Sequence, residues 1–152
     1  MSISQDETKV LPVVTPQAIV NGASWMTTEI DAIGFEHATW YFLLGATDAA
    51  ITALKLTESD TSGSGHADIT GTRFGTDPND TGATSALPSA ADDGKLFVVD
   101  LDLRGRKRFI DAVATIGTGT TGGFLAAWCV LSRGHDTPVT AADRNAAELL
   151  RV

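Results

Sequence analysis

The sequence has a single cysteine and lacks any apolar run long enough to cross a bilayer. With only Cys129, the chain cannot form a disulfide within itself, and the apolar stretch around it predicts a buried side chain. That stretch, 124–131, is the longest apolar run and is much shorter than a membrane-spanning helix. Residues 1–9 are polar and acidic, unlike a secretory signal. We therefore expect a soluble protein made in a cytoplasm-like setting.

Basic residues are also scarce. The chain holds 11 Lys and Arg against 19 Asp and Glu, which gives a net charge of −8. A protein of this charge has no fold-wide attraction for nucleic acid or anionic membranes, so we predict neither as a direct partner. Four of the basic residues nevertheless lie within five positions. This basic turn, defined by Arg104, Arg106, Lys107 and Arg108, is expected to contact nearby carboxylates, an acidic partner or a neighbouring copy.

The abundant residues are Gly, Thr, Ala, Ser and Asp, which suit short strands joined by turns. Seven to nine strands are expected, and this number favours an all-β fold of the β-sandwich or jelly-roll kind. The clearest strands are 39–44, 50–57, 95–103, 109–116 and 124–131. The last two are expected to form a hairpin whose Gly/Thr tip, 117–123, is flexible.

The chain ends and one long connection complete the predicted organisation. Residues 1–20 are interpreted as an N-terminal arm and edge strand, because Pro12 and Pro16 interrupt the apolar run. Residues 21–136 form the β-sandwich domain, and 137–152 form an extended arm or a short helix. The polar connection 58–91 is unusually long, which indicates that it has a function or packs on a neighbour.

Two strands are apolar on both faces, although one face of a sandwich sheet normally meets water. In strand 39–44, Tyr41 and Leu43 oppose the face that carries Trp40 and Phe42, and strand 124–131 repeats this pattern. The second face must be covered by the long connection, by a terminal arm or by another subunit. Tyr41 and Leu43 are therefore candidate partner or oligomer contacts, together with the basic turn.

No catalytic pattern is recognisable, and we predict no catalytic, cofactor-binding or metal-binding residues and no cofactor. His37, His66 and His135 are distant in sequence and are interpreted as solvated loop residues. The Asp-rich segments 60–68, 77–80 and 92–94 lack the ligand spacing of an EF-hand and are interpreted as turns. Trp25, Trp40 and Trp128 could form a sugar-stacking platform, an alternative left open, but Trp40 and Trp128 lie in apolar strands and are expected to be core residues.

The segment Lys-Leu-Phe-Val-Val-Asp-Leu-Asp-Leu-Arg-Gly-Arg-Lys-Arg-Phe at 95–109 resembles a stretch of small virion proteins of tailed bacteriophages. The Gly/Thr loop, strand 124–131, Ser132-Arg133 and the tail 137–140 follow in a similar order. The resemblance covers the C-terminal third to half of the chain. It implies a capsid decoration, or cement, protein that binds the major capsid protein on the capsid exterior of the virion as a homotrimer.

Two other classes of function remain open from the residues. One is a host-attachment or glycan-binding β-sandwich module, which requires an exposed aromatic side chain on a concave surface. Another is a structural protein of the phage neck or tail. An enzyme ranks third, because it requires a cleft with converging carboxylates whose pKa values are shifted apart.

Overall fold

The computed structural model describes residues 7–77 and 85–134, and nearly all of its regular structure is β-strand. No helix in these two ranges is long and apolar enough to cross a bilayer. The C-terminal arm or helix predicted for 137–152 lies outside the described residues. The eight strands are β1 (Lys9–Val14), β2 (Ile30–Asp31), β3 (Phe35–Thr47), β4 (Ile51–Ser59), β5 (Ala67–Asp68), β6 (Leu96–Asp102), β7 (Phe109–Ile116) and β8 (Gly123–Gly134).

The strands form two four-stranded antiparallel sheets that pack against each other, a β-sandwich-like arrangement. Sheet A has the order β1-β8-β3-β6 and sheet B the order β2-β7-β4-β5. The predicted hairpin of the last two long strands is wrong, because β7 lies in sheet B and β8 in sheet A. The connections β3–β4 and β6–β7 also cross between sheets. Alternation along a strand reports which side chains are buried and does not report which strand is its neighbour.

The core lies between the two inner faces and is built from alternate residues of each strand. In β7, Ile110, Ala112, Ala114 and Ile116 are buried while the residues between them are half-exposed. Trp40 and Trp25 are also core residues, at 0% and 3% exposure. Their indole N–H groups have no hydrogen-bond partner, which is uncommon for buried donors.

The long connection after β4 closes the open side of the sandwich between β4 and β6. Ile69 and Phe74 donate backbone hydrogen bonds to the carbonyl oxygens of Leu56 and Leu54, at 3.0 and 2.9 Å. The Phe74 ring then meets the Phe97 ring of β6 edge-to-face at 5.8 Å. This part of the connection therefore has a structural role: it packs against the edge of the core.

The Gly/Thr segment 117–123, predicted as a flexible tip, makes hydrogen bonds at several points. The Asn21 side chain both donates to and accepts from the backbone of Gly119, at 3.0 and 2.8 Å. The Asp48 carboxylate accepts the N–H groups of Thr121 and Gly122 at 2.6 and 2.8 Å. Gly122 has a φ of +102°, and a side chain there would collide with the backbone of residue 20, so glycine is required.

Candidate functional site: the outer face of sheet A

The outer face of sheet A is apolar across all four of its strands. The register pairs Tyr41 of β3 with Trp128 of β8 on one side and with Val98 of β6 on the other. Trp128 is in turn opposite Pro12 of β1. Side chains on antiparallel neighbours at paired positions share one face of the sheet. These four residues therefore form one continuous row across the sheet.

The next row extends this surface. Leu43 of β3 pairs with Ala126 of β8 and with Leu96 of β6. Beyond it, Phe124 lies beside Gly45, where an added Cβ would come within 2.9 Å of the Phe124 Cβ. Glycine at this position therefore leaves room for the Phe124 side chain. We name the surface formed by Val10, Pro12, Tyr41, Leu43, Leu96, Val98, Phe124, Ala126, Trp128 and Val130 the outer apolar face.

Five of the eight large hydrophobic side chains exposed among the described residues belong to this face: Val10 (50%), Leu43 (37%), Leu96 (48%), Val98 (41%) and Phe124 (45%). A fully exposed large side chain offers about 150–250 Å², so these five leave roughly 400 Å² of apolar surface in water. The largest apolar patch on a soluble monomer is typically about 300–600 Å² and is often functional. The outer apolar face is therefore a candidate binding surface.

The centre of the face is a stacked aromatic pair. The Tyr41 and Trp128 rings lie 5.6 Å apart at an interplanar angle of 14°, and both residues are half-buried. Trp128 thus differs from Trp25 and Trp40, and the prediction that it is a core residue is wrong. Because β8 is apolar on both sides, its sequence alone does not tell which side meets the core.

Polar groups with side-chain partners lie at the Thr39 end of the face. The Thr39 hydroxyl donates to Asp100 at 2.6 Å, and His37 hydrogen-bonds Ser132 at 3.3 Å and lies 3.9 Å from Asp100. His37 is therefore a strand residue with side-chain partners, and its interpretation as a loop residue is wrong. The arrangement as a whole is an aromatic and aliphatic centre with a polar margin, as in the core and rim of a protein interface.

Nothing in the described parts of the chain covers the outer apolar face. The connection after β4 was one predicted cover, but its residues 60–77 and 85–91 pack at the β4 and β6 side of the core, where Phe74 and Leu87 contact the core residues. The exposed fractions of Leu43, Leu96 and Val98 show directly that this connection does not cover the face. Coverage by another molecule therefore remains one of the predicted alternatives.

The basic turn lies at one end of the sandwich, and its cations form ion pairs with carboxylates of the same chain. Arg108 binds Asp31 of β2 through two hydrogen bonds of 2.9 and 2.7 Å, and its guanidinium lies 4.9 Å from the Phe109 ring centre. Arg104 pairs with Asp102 of β6 at 2.5 Å. This second pairing was one of the predicted alternatives for the turn.

The other two cations of the turn face the end of β4. The Arg106 guanidinium lies 3.4 Å from the Glu58 carboxylate. The Lys107 ammonium lies 3.5 Å from Asp60, and the Lys107 N–H donates to Glu58 at 3.1 Å. The turn thereby links β6, β2 and β4 at one end of the molecule. Exposed ion pairs of this kind contribute little to stability, so their main effect is to position the turn.

The pairing also shifts the titration of these groups. The Arg104 hydrogen bonds hold the pKa of Asp102 well below its usual range, and the side-chain hydrogen bonds from Arg108 lower the pKa of Asp31. The carboxylates in turn raise the pKa values of Arg104 and Arg108. All four groups are charged at neutral pH, and each positive charge of these two pairs is offset by a neighbouring negative one.

A second polar cluster joins the β5 region to the segment before β2. His66 Nε2 lies 2.7 Å from the Glu29 carboxylate, which also accepts from the Ser62 hydroxyl at 2.7 Å and from the Gly63 N–H at 3.0 Å. Burial opposes the charge and raises the pKa of Glu29, but the hydrogen bonds from Gly63, Ser62 and His66 outweigh it, so the pKa is lowered. His66 lies in a loop, as predicted, but its side chain is part-buried and hydrogen-bonded rather than solvated.

The Asp-rich turns hold backbone and side-chain donors. Asp92 accepts from the Ser89 N–H and hydroxyl, both at 2.7 Å, and from the Lys95 ammonium at 2.7 Å, and the Lys95 hydrogen bond lowers its pKa most. Within residues 7–77 and 85–134, no group of three or more His, Cys, Asp or Glu is arranged to hold a metal ion. Part of the Asp-rich segment 77–80, and also His135, lie outside the described residues.

The predicted site residues thus fall into two places. Tyr41 and Leu43 lie together on the outer apolar face, and Arg104, Arg106, Lys107 and Arg108 lie together in the basic turn. The sequence interpretation missed Leu96 and Val98 as members of the face, and it recognised Phe124 only as part of the doubly apolar strand 124–131. Leu96 and Val98 alternate with Phe97 and Val99, so the first half of β6 is apolar on both faces, and this signal was available. No family model, no curated protein and no solved structure matches the chain.

Proposed function

We propose that this chain is a non-enzymatic structural protein that acts by binding other protein surfaces, and specifically a capsid decoration protein of a tailed phage. The observation that carries the first part is the outer apolar face, with Val10, Leu43, Leu96, Val98 and Phe124 exposed together. A patch of this size in contact with water costs free energy that burial against a partner removes. The second part rests on the resemblance of 95–109 to small virion proteins.

The strand order supports a jelly roll as the finer description of the fold. Strand β1 pairs with β8, β2 with β7, β3 with β6 and β4 with β5. This nested pairing is what results when one long antiparallel hairpin is rolled up into two sheets, which is the jelly-roll plan found in many capsid proteins. The agreement between this strand order and the virion resemblance strengthens the proposal.

In this function the protein works mechanically. Each copy binds the outer surface of the head, contacts the major capsid protein and associates with other copies, as the homotrimer implied by the resemblance. At about 25 cal/mol per Å², burial of roughly 400 Å² supplies at most about 10 kcal/mol per copy before the costs of association. Repeated contacts on a symmetric shell add through multivalency, so moderate individual contacts are sufficient.

A glycan-binding role is the second candidate, and the half-exposed Tyr41–Trp128 pair is the observation that favours it. Aromatic side chains do provide flat surfaces for ligands, but a specific site also needs convergent polar groups around them. Val98 and Pro12 flank this pair on its own row. These aliphatic neighbours favour a protein partner over a sugar. A role in the phage neck or tail uses the same kind of contact and differs in the partner.

The test is binding of the purified protein to expanded, undecorated phage heads, followed by sedimentation of the heads and quantification of the bound chain. The proposal predicts saturable binding with a fixed number of copies per head and greater resistance of the heads to heat. Absence of binding, combined with specific signals on a glycan array, would favour the attachment module instead. Binding to isolated tails and not to heads would assign the chain to the tail.

A further inference from the structure

We propose that the outer apolar face binds the same face of a second copy of this chain, so that two sheets A stack face to face. This inference goes beyond the proposed function, since it assigns this face to a two-fold pair of copies, so that contact with the shell and any association into a trimer use other surfaces.

The distribution of charge favours a copy of the same chain over a charged partner. The protein carries a net charge of −8, so most of its surface repels an identical surface. The outer apolar face is the exception, because its charged residues Asp100 and Asp102 lie at one end. A two-fold axis between the faces, perpendicular to the strands, places these carboxylates at opposite ends of the pair. The uncharged centres around Tyr41 and Trp128 then meet without repulsion.

The edges of sheet A are protected, whereas its face is not. On the β1 edge, Pro12 lacks the N–H group that an added strand would bind. On the β6 edge, Asp100 puts a negative charge on a strand that an identical strand would have to approach, and Asp102 there is held in an ion pair with Arg104. Proline and edge charges are the usual devices against edge-to-edge pairing of sheets. No such device interrupts the outer apolar face, so stacking is the open route to association.

The area and composition of the face suit an interface of moderate strength. Two faces with roughly 400 Å² of exposed apolar surface each, together with their half-buried neighbours, bury on the order of 1,000 Å² in total, at the lower end for specific interfaces. The face contains Tyr41 and Trp128 at its centre and Phe124 towards one end, and these residue types are enriched in interface cores. A dissociation constant near the micromolar range is consistent with an interface of this size.

The experiment measures the mass of the full chain by sedimentation equilibrium from about 1 to 100 μM, a range that brackets a micromolar dissociation constant. Three proteins are compared: wild type, Val98→Lys on the face, and Met26→Lys as the matched control. Met26 is 82% exposed and lies in the segment between β1 and β2, off the face. We expect wild type and Met26→Lys to associate equally and Val98→Lys to bind at least tenfold more weakly.

Wild-type protein that stays monomeric up to 100 μM overturns the inference, as does a Val98→Lys variant that associates like wild type. Circular dichroism checks that Val98→Lys is folded. If it is not, Leu96→Lys replaces it, because Leu96 begins β6 and is 48% exposed. Association that weakens steeply with salt would indicate the basic turn as the interface and would also overturn the inference, since an apolar contact persists at high salt.

Tryptophan fluorescence tests independently which face becomes buried on association. Trp25 and Trp40 are buried in the core at 3% and 0% exposure, so quenching by acrylamide reports mainly on the half-buried Trp128. We expect quenching to increase as the oligomer is diluted. Quenching that does not change while the mass changes would show that association uses another surface. Binding to phage heads is measured separately, so the function and the inference can each fail while the other stands.

Discussion

Leu43 and Leu44 are adjacent leucines in β3, and truncation of each to alanine tests which side of sheet A faces the core. Leu44 is 1% exposed and lines a small internal cavity of about 10 Å³, whereas Leu43 is 37% exposed on the outer apolar face. The chemical change is identical at both positions. Any difference in the cost therefore comes from the surroundings of the side chain and not from its type.

The structure sets the expected magnitudes. Leu44→Ala removes fully buried atoms and enlarges the cavity beside it, so the free energy of unfolding should fall by about 3 kcal/mol, within the range for buried leucines. Leu43→Ala removes atoms that already contact water and leaves no enclosed void. Only a part of the transfer free energy is lost, about 1 kcal/mol. The two variants should therefore differ by about 2 kcal/mol.

The assay is urea unfolding followed by circular dichroism at a protein concentration low enough to keep the chain monomeric. With a denaturant slope of about 2 kcal/mol per M, the two midpoints should lie about 1 M apart, with Leu44→Ala the lower. Equal midpoints, or a lower midpoint for Leu43→Ala, would refute the assignment of the faces. A one-residue shift in the register of β3 has that effect, because it moves every side chain to the opposite face.

Three further predictions concern groups off this face. Burial raises the pKa of the Cys129 thiol, so a thiol reagent at pH 8 should react with it only as the protein unfolds, and rapid reaction of the native protein would contradict the burial of β8. The lowered pKa of Glu29 stabilises the fold above pH 4.5, and this contribution is lost as the pH falls through the folded-state value. Glu29→Gln should therefore lower the melting temperature at pH 7 and make little difference near pH 3, as measured by thermal unfolding. Asp48→Ala should speed amide hydrogen exchange at Thr121 and Gly122, whose N–H groups Asp48 accepts.

The Asp48→Ala prediction has a matched control variant, and the Glu29→Gln prediction has a result that would contradict it. Asp93→Ala serves as the control for Asp48→Ala, because the hydrogen bond of the Asp93 carboxylate comes from the N–H of Thr47 in β3, at 3.0 Å, rather than from Thr121 or Gly122. Unchanged exchange at Thr121 in Asp48→Ala would show that the segment is held without the Asp48 carboxylate. For Glu29→Gln, a stability difference that persists unchanged to pH 3 would show that the carboxylate charge has no role.

Much of the strand content could be predicted from the sequence. The apolar runs and alternating segments correspond to β3, β4, β6, β7 and β8, and Pro12 correctly indicated an edge strand. These features depend on residues close together in the chain, whose backbone preferences and side-chain alternation are local properties. The doubly apolar pattern of β3 and β8 likewise predicted that sheet A has a second apolar face, and Leu43 is exposed there.

The partners of each strand could not be predicted in this way. The segments after β6 and β7 look like hairpin turns in the sequence, yet each of these two connections crosses to the opposite sheet. The pairing of His66 with Glu29 also joins residues far apart in the chain, and neither residue signals the other. Contacts of this kind depend on how the two sheets wind around the core, which is a property of the whole chain.

The sequence by itself determined that the chain is an acidic β protein with more apolar strand surface than one core requires. Only the tertiary structure decided where that excess lies: Trp40 is enclosed between the sheets, whereas Trp128 stacks on Tyr41 at the outer surface. The physical reason is that alternation divides each strand into two faces, and when both are apolar the choice between them depends on the strands packed on either side. The outer apolar face, on which the proposed function rests, follows from that choice.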